Sequence, residues 1–338
     1  LKLKHILIIE NILLLSLIVF SLVFHPSFLG RTVKPTVSGN LLAPEVYSGI
    51  NKGKNFLNFN YAPLKKDLKY YFAKEKISAA LYVQDLQSGS SFGIDEYRSF
   101  NPASLNKVML AMVLMSQLES GEISWDQPMK LVRNQDYGNL YLRTEDQFTF
   151  RFLFEKMLTE SDNSAFYSLL PLVNQDRAST FFEYLDLNGN SPNPEDYQLD
   201  PRTLFNLFQS LYHSTALNPE DSEYILSLLT KVQPSLRIQA DLPEDILVAH
   251  KIGVLNLPTQ EYRDCGIIYH HESRLFYCIM ISGEKEARSQ QLIVEIVKRI
   301  YTYHIAQEKH FKEYYTPLCA PNCRSPNFNK SNLRYLSE

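Results

Sequence analysis

Long runs of one charge sign are missing from this 338-residue chain, whose 34 basic and 37 acidic side chains leave a net charge near −3. That balance excludes nucleic acid as the main partner, because such ligands are held by a concentrated basic stripe. No spacing among the four cysteines and eight histidines matches a zinc pattern, and His270-His271 reads as a turn. No metal ion or other cofactor is therefore expected. Internal repeats are absent, and no low-complexity tract stands out beyond a polar stretch near the amino terminus. The apolar amino-terminal segment is followed by His25-Pro26-Ser27-Phe28-Leu29-Gly30, with no small-x-small cleavage pattern and no cysteine for a lipid. These absences disfavour an ordinary cleaved leader and a lipoprotein.

Lys2, Lys4 and His5 stand before an apolar stretch at 6–24, interrupted only by Glu10 and Asn11. A short basic flank before such a run implies an uncleaved signal-anchor at 1–30, with the bulk of the chain outside the cytoplasm. A signal peptide cut at an unusual site, and so a secreted protein, is the alternative. Residues 31–60 carry Pro, Gly, Ser, Asn and Lys without sustained periodicity and read as a linker. A domain at 61–307 and a tail at 308–338 follow. With 45% hydrophobic residues there is ample material for one large core. No feature of the pattern bears on oligomeric state.

The densest chemistry lies at Asn101-Pro102-Ala103-Ser104-Leu105-Asn106-Lys107, ahead of the apolar run 108–115. Pro102 suits a helix mouth, where its missing N–H costs nothing. The run behind it is too apolar for a surface helix, so a helix buried on most sides is expected. Ser104 and Lys107, three residues apart, share a helical face at the positive end of the macrodipole. A desolvated lysine there is a suitable base for a serine nucleophile. Taken alone, the same four residues also describe a helix start with a surface lysine. A second hydroxyl and an amide, Ser161 and Asn163, fall in the break 159–163 between two apolar helices. Loops set by rigid helices are frequent sites of chemistry, although Asn163 or Ser164 also suits a plain helix cap.

The order of elements is read from periodicity. A helix at 64–74 has Leu64, Leu68, Tyr71 and Phe72 on one stripe, and strands follow at 77–86 and 90–94. Gly121 closes the serine helix, Thr149 caps a helix at 149–158, and a helical stretch at 165–170 runs into Pro171. A short helix at 179–185, one at 202–212 started by Asp200 and Pro201, and one at 222–231 complete a helical block. Strands at 246–252, 264–270 and 274–282 precede a last helix at 289–307, with Leu292, Ile293, Ile296, Val297 and Ile300 on its apolar face. The sum is α+β: one antiparallel sheet with terminal helices packed on it and an all-helical insert between.

Ser104-x-x-Lys107, Ser161-Asp162-Asn163 and Lys251-Ile252-Gly253 together form a three-part pattern that resembles the class A β-lactamases and penicillin-binding proteins, with their S-x-x-K, S-D-N and K-T-G motifs. The resemblance runs from about Pro63 to His304. It implies that Ser104 is the acylated nucleophile, Lys107 its proton partner, and Ser161 a relay to the leaving nitrogen. It further implies that Asn163 holds a substrate amide and that Lys251 favours the substrate carboxylate. The N–H groups of Ser104 and Val254, after Gly253, would make the oxyanion hole. The implied activity is hydrolysis of a β-lactam or related amide. A D,D-peptidase on peptidoglycan stem peptides, or an inactive binding module of the same fold, are the alternatives.

Two departures from the family pattern stand out. Position 252 is Ile where the family has a hydroxyl for the substrate carboxylate. The E-x-x-L-N pattern that supplies the deacylation base in class A enzymes has no counterpart at Glu183 or Glu195, and only a weak one at Asp196 to Asp200. Four cysteines in an oxidising envelope suggest disulfides. Cys265 and Cys278 fall opposite each other if the hairpin turns at His271-Glu272, and Cys319-x-x-x-Cys323 would close a small loop. Buried or stray free thiols are the alternative.

Overall fold

A computed structural model describes residues 41–43, 59–187, 198–232, 242–243, 245–255, 260–270 and 273–315, with side chains through 310. The first helix, α1 (Ala62–Glu75), opens on Pro63 and buries Leu64, Leu68 and Phe72. It feeds β1 (Ser78–Asp85) and β2 (Ser91–Ile94). The chain then enters the helical block: a 3₁₀ turn at Ala103–Leu105, α2 (Asn106–Glu119), α3 (Phe150–Thr159), α4 (Asn163–Leu169), α5 (Gln175–Tyr184), α6 (Pro201–His213) and α7 (Pro219–Leu229). It returns through β5 (Leu247–Leu255), β6 (Glu261–His270) and β7 (Ser273–Ser282) to α8 (Glu286–Tyr315). One further pair, β3 (Pro128–Lys130) and β4 (Gln147–Thr149), forms a small two-stranded sheet inside the block, which is therefore not purely helical. Three-residue strands leave too short an alternation to be seen in a sequence.

The main sheet is antiparallel in the order β2-β1-β7-β6-β5, so the first and last parts of the chain share it and β5 is an edge. Its two faces cover two cores. Ala249, Cys265, Ile267, Phe276, Cys278 and Met280 face the helical block, with α2 and α6. Val248, Ile268, Ile279 and Ile281 face α1 and α8, where Leu292, Ile293, Ile296, Val297 and Ile300 are all buried. The period-two alternation of the strands sends neighbouring residues into different cores. Twelve of the fourteen residues of α2 are buried, which makes it the axis of the helical block.

Local expectations hold at several ends. Thr149 caps α3 through Phe152 N, and Asp200 caps α6 through Thr203 N with Pro201 next. Gly121 follows α2 at φ +75, the left-handed position a glycine takes without strain. Other ends move. The cap of α4 is Asp162, which accepts from Ala165 N, rather than Asn163 or Ser164. Helix α5 starts at Gln175 behind an Asn174 cap, α7 starts at Pro219, and α8 runs to Tyr315 instead of ending near 307. Leu41, Leu42 and Ala43, within the stretch read as a linker, are buried. Ala43 N donates to Tyr212 O and the Tyr269 hydroxyl to Leu41 O. Three apolar residues, tied to the helical block and β6 by these two hydrogen bonds, thus belong to the core.

Cys265 and Cys278 are directly opposed in the β6–β7 ladder and joined by a disulfide. Cys319 and Cys323 lie outside the described residues, as do 1–40 with the apolar segment, Glu195 and Asp196. Among the described residues no helix is long and apolar enough to cross a membrane.

Candidate active site

Ser104 sits in the middle of the 3₁₀ turn that starts α2, half-buried, directly after Ala103. Ala103 has φ +49, and its N–H is held by the Asn101 side chain at 2.8 Å. Ser161 has φ +55 in the turn between α3 and α4. Left-handed backbone at two non-glycine residues costs free energy, and such strain gathers where function over-determines the geometry.

Lys107, the second residue of α2 and one turn after Ser104, is buried, and its ammonium is directed at the α3–α4 turn. It donates to Ser161 Oγ at 3.2 Å, to Asn163 Oδ1 at 2.7 Å, and to the Ser161 carbonyl. The first and second sequence motifs, 54 residues apart for the Lys107–Ser161 contact, are therefore one cluster. Burial pulls the Lys107 amine well below its ordinary range, the nearby Lys251 charge adds to that, and Asp162 opposes it.

The turn itself is fixed by Asp162, fully buried, which accepts from Ala165 N and Leu140 N. Gly138 lies against it: a Cβ there would fall 2.0 Å from Asp162 Oδ2. Asn163 N donates to Tyr137 O, and Ser164 bridges to the backbone of Asn134. The loop 131–143 is thus bound to the motif turn. Neither Gly138 nor Asp162 was singled out from the sequence for this role. A glycine followed by a polar loop carries no periodic signal, and only spatial proximity reveals the pair.

The third motif lies on edge strand β5. Lys251 and Gly253 face the helical block and Ser104, while His250, Ile252 and Val254 face the α1–α8 side. A Cβ on Gly253 would fall 2.8 Å from Pro102 O and 3.3 Å from Ala103 Cβ, so the nucleophile turn rests on bare strand backbone. Lys251 is fully buried, and burial pulls it down to about 7 against the opposing field of Asp264. Ile252 is half-buried, with its side chain against the second core. His250 pairs with Asp264 behind the sheet, as strand alternation predicts.

Arg263, opposite Gly253, is fully buried; Nη2 pairs with Glu261, while Nε and Nη1 have no hydrogen-bond partner among the described residues. Of the carboxylates named for a second hydrolytic step, Glu183 is exposed on α5, while Glu195 and Asp196 lie outside the described residues; Asp200, at the end of the weak match, accepts from Thr203 through both oxygens. Among the described residues no group of three or more His, Cys, Asp or Glu side chains is arranged to hold a metal ion.

Comparison with known proteins agrees with this fold. The model of the beta-lactamase enzyme family matches residues 63–304. The structure of PBP-A superposes with a TM-score of 0.66 at 20% identity, covering 75% of this chain and 98% of that one. A PBP-A mutant solved as an acyl-enzyme complex with penicillin G gives a TM-score of 0.64 at 20% identity, covering 73% and 97%. The TLA-3 extended-spectrum β-lactamase gives 0.66 at 18% identity, covering 73% and 100%. A search of curated proteins returns no match.

Proposed function

From the premise that the chain belongs to the beta-lactamase enzyme family, we propose that it is a serine acyl-enzyme acting on β-lactams or related amides. The observation that carries this reading is the Lys107 ammonium bonded to Ser161 Oγ and Asn163 Oδ1, one helical turn from Ser104. A buried, deprotonation-prone amine beside a serine in a strained turn is the arrangement that activates a hydroxyl.

Ser104 attacks the amide carbonyl, and Lys107 takes its proton. The N–H groups of Ser104 and Val254 stabilise the oxyanion. Ser161, bonded to Lys107, returns a proton to the leaving nitrogen. Asn163 binds a substrate amide, and Lys251 favours an anionic group beside the scissile bond. The amine must be neutral to accept the proton, so acylation falls as pH drops through the lowered Lys107 value.

A second reading, a D,D-peptidase on peptidoglycan stem peptides, needs no deacylating carboxylate of the class A kind, and Glu183 is exposed on α5 rather than placed as one. The domain is held at the membrane by 6–24 and lies outside the cytoplasm, a topology supported by Lys2 and Lys4 ahead of that segment.

Labelling the full chain with a fluorescent penicillin and chasing the label tests the set. Rapid loss supports the hydrolase and slow loss the peptidase. Absence of label at every pH contradicts the acyl-enzyme reading.

A further inference from the structure

Lys251 has no exposed surface, and among the described residues its ammonium donates only a long 3.5 Å hydrogen bond to Ile252 O. The groups around it are unequal. From the helical side it meets the like charge of Lys107, with Asp162 acting on that lysine. On its own face of the sheet, Cys265 is tied in the disulfide and Arg263 is paired with Glu261.

Behind the sheet stand His250, Tyr277 and Asp264. Asp264 is opposite Ile252 in the ladder, one step from Lys251, and 2% exposed. Its Oδ1 accepts from the Tyr277 hydroxyl at 2.9 Å and lies 2.9 Å from His250 Nδ1. Two partners on one oxygen fix the carboxylate against the back of the edge strand.

We propose that Asp264 is a positioning residue for the acyl-transfer reaction, keeping Lys251 charged through the sheet so that the front face can hold an anionic substrate group. The inference rests on the acyl-enzyme reading given above. Burial alone drives Lys251 toward the neutral amine, which offers an anion nothing beyond a weak dipole. A carboxylate one strand-width away in a low-dielectric interior opposes that loss, because its field is little screened there. Asp264 is the group whose field raises Lys251 against burial. Its location on the far face leaves the cleft free of a competing anion, which a carboxylate beside Lys251 on the front face would not.

The sign of the effect is fixed. Lysine is charged below its pKa, so the capture of an anionic substrate is lost as pH rises through the Lys251 value. Removing the Asp264 charge moves that loss to lower pH. In the full chain, Asp264→Asn is expected to shift the alkaline limb of penicillin acylation down by about one unit. The NMR titration midpoint of the Lys251 side chain, assigned with Lys251→Arg, is expected to move by the same amount. Asp264→Glu restores the charge and should bring both back toward the wild-type values. Asp264→Ser, smaller and neutral, is expected to repeat the shift and serves if the Asn variant does not fold. A folded neutral variant whose limb and NMR midpoint coincide with those of the wild type overturns the proposal. If the wild type forms no acyl adduct at any pH, the acyl-enzyme reading fails, and the NMR titration still decides whether Asp264 governs Lys251.

Discussion

Replacing Lys251 by Met is expected to stabilise the fold while crippling the reaction. Lys251 is fully buried and pulled from 10.5 to about 7 in the folded chain. An unfolded lysine keeps its ordinary value, so the unfolded chain binds more protons between those two pH values, and stability rises with pH across that window. At pH 7 the unspent difference is about three pH units, or roughly 4 kcal/mol lost to one side chain. Met has similar length, no charge, and apolar neighbours in Ala249 and Cys265. Urea melts at pH 7 should therefore give Lys251→Met an excess of a few kcal/mol over wild type. At pH 10.5 the amine is neutral in the fold, and the excess should shrink to about 1 kcal/mol or less. Acylation by an anionic penicillin should fall by about 10²-fold at pH 7, through weaker capture. An excess that is the same at both pH values would refute the burial argument, and a destabilised variant would show that Lys251 makes a net favourable contact.

Ile252→Thr puts its hydroxyl on the α1–α8 face, away from the nucleophile turn, and should leave acylation and deacylation near wild type, as read by separate rates. The Ile side chain packs on the α1–α8 core, so the same change should cost about 1 kcal/mol in a melt. Gly253→Ala places a methyl 2.8 Å from Pro102 O; displacement of the nucleophile turn should cost about 1–3 kcal/mol and most of the acylation rate, measured by melt and by label. The acylation rate should decline toward acid as Lys107 takes up a proton, and Lys107→Arg, protonated at every working pH, should abolish it rather than move the limb.

The terminal parts of the chain were legible in the sequence because each element there has an unambiguous period. The stripe of α1 and the apolar face of α8 fall on the side that is buried, and β1, an inner strand, is covered on both faces. The opposition of Cys265 and Cys278 followed from counting about one turn, because an antiparallel register is arithmetic. The helical block was less legible at its ends: Asp162, Asn174 and Asn218 are caps in a region where several polar residues are equally able to cap. Three motifs in order pointed to a cluster, and the first two are joined through Lys107.

What the sequence did not disclose is how the charges of that cluster are balanced. The field on Lys251 comes from Asp264 across the sheet, and Arg263 sits buried beside Gly253 on the front face; both depend on strand order and register. Leu41–Ala43 were hidden for a different reason, since three apolar residues among polar ones have no period to detect.

The central claim is that Ser104 becomes covalently acylated. Intact-mass measurement of the full chain after brief exposure to penicillin G tests it most directly, with Ser104→Ala alongside. One adduct of the penicillin mass on the wild type, mapped to the peptide carrying Ser104 and absent from the variant, is the predicted result. An adduct that persists on Ser104→Ala, or a folded wild type that takes none, would contradict the account.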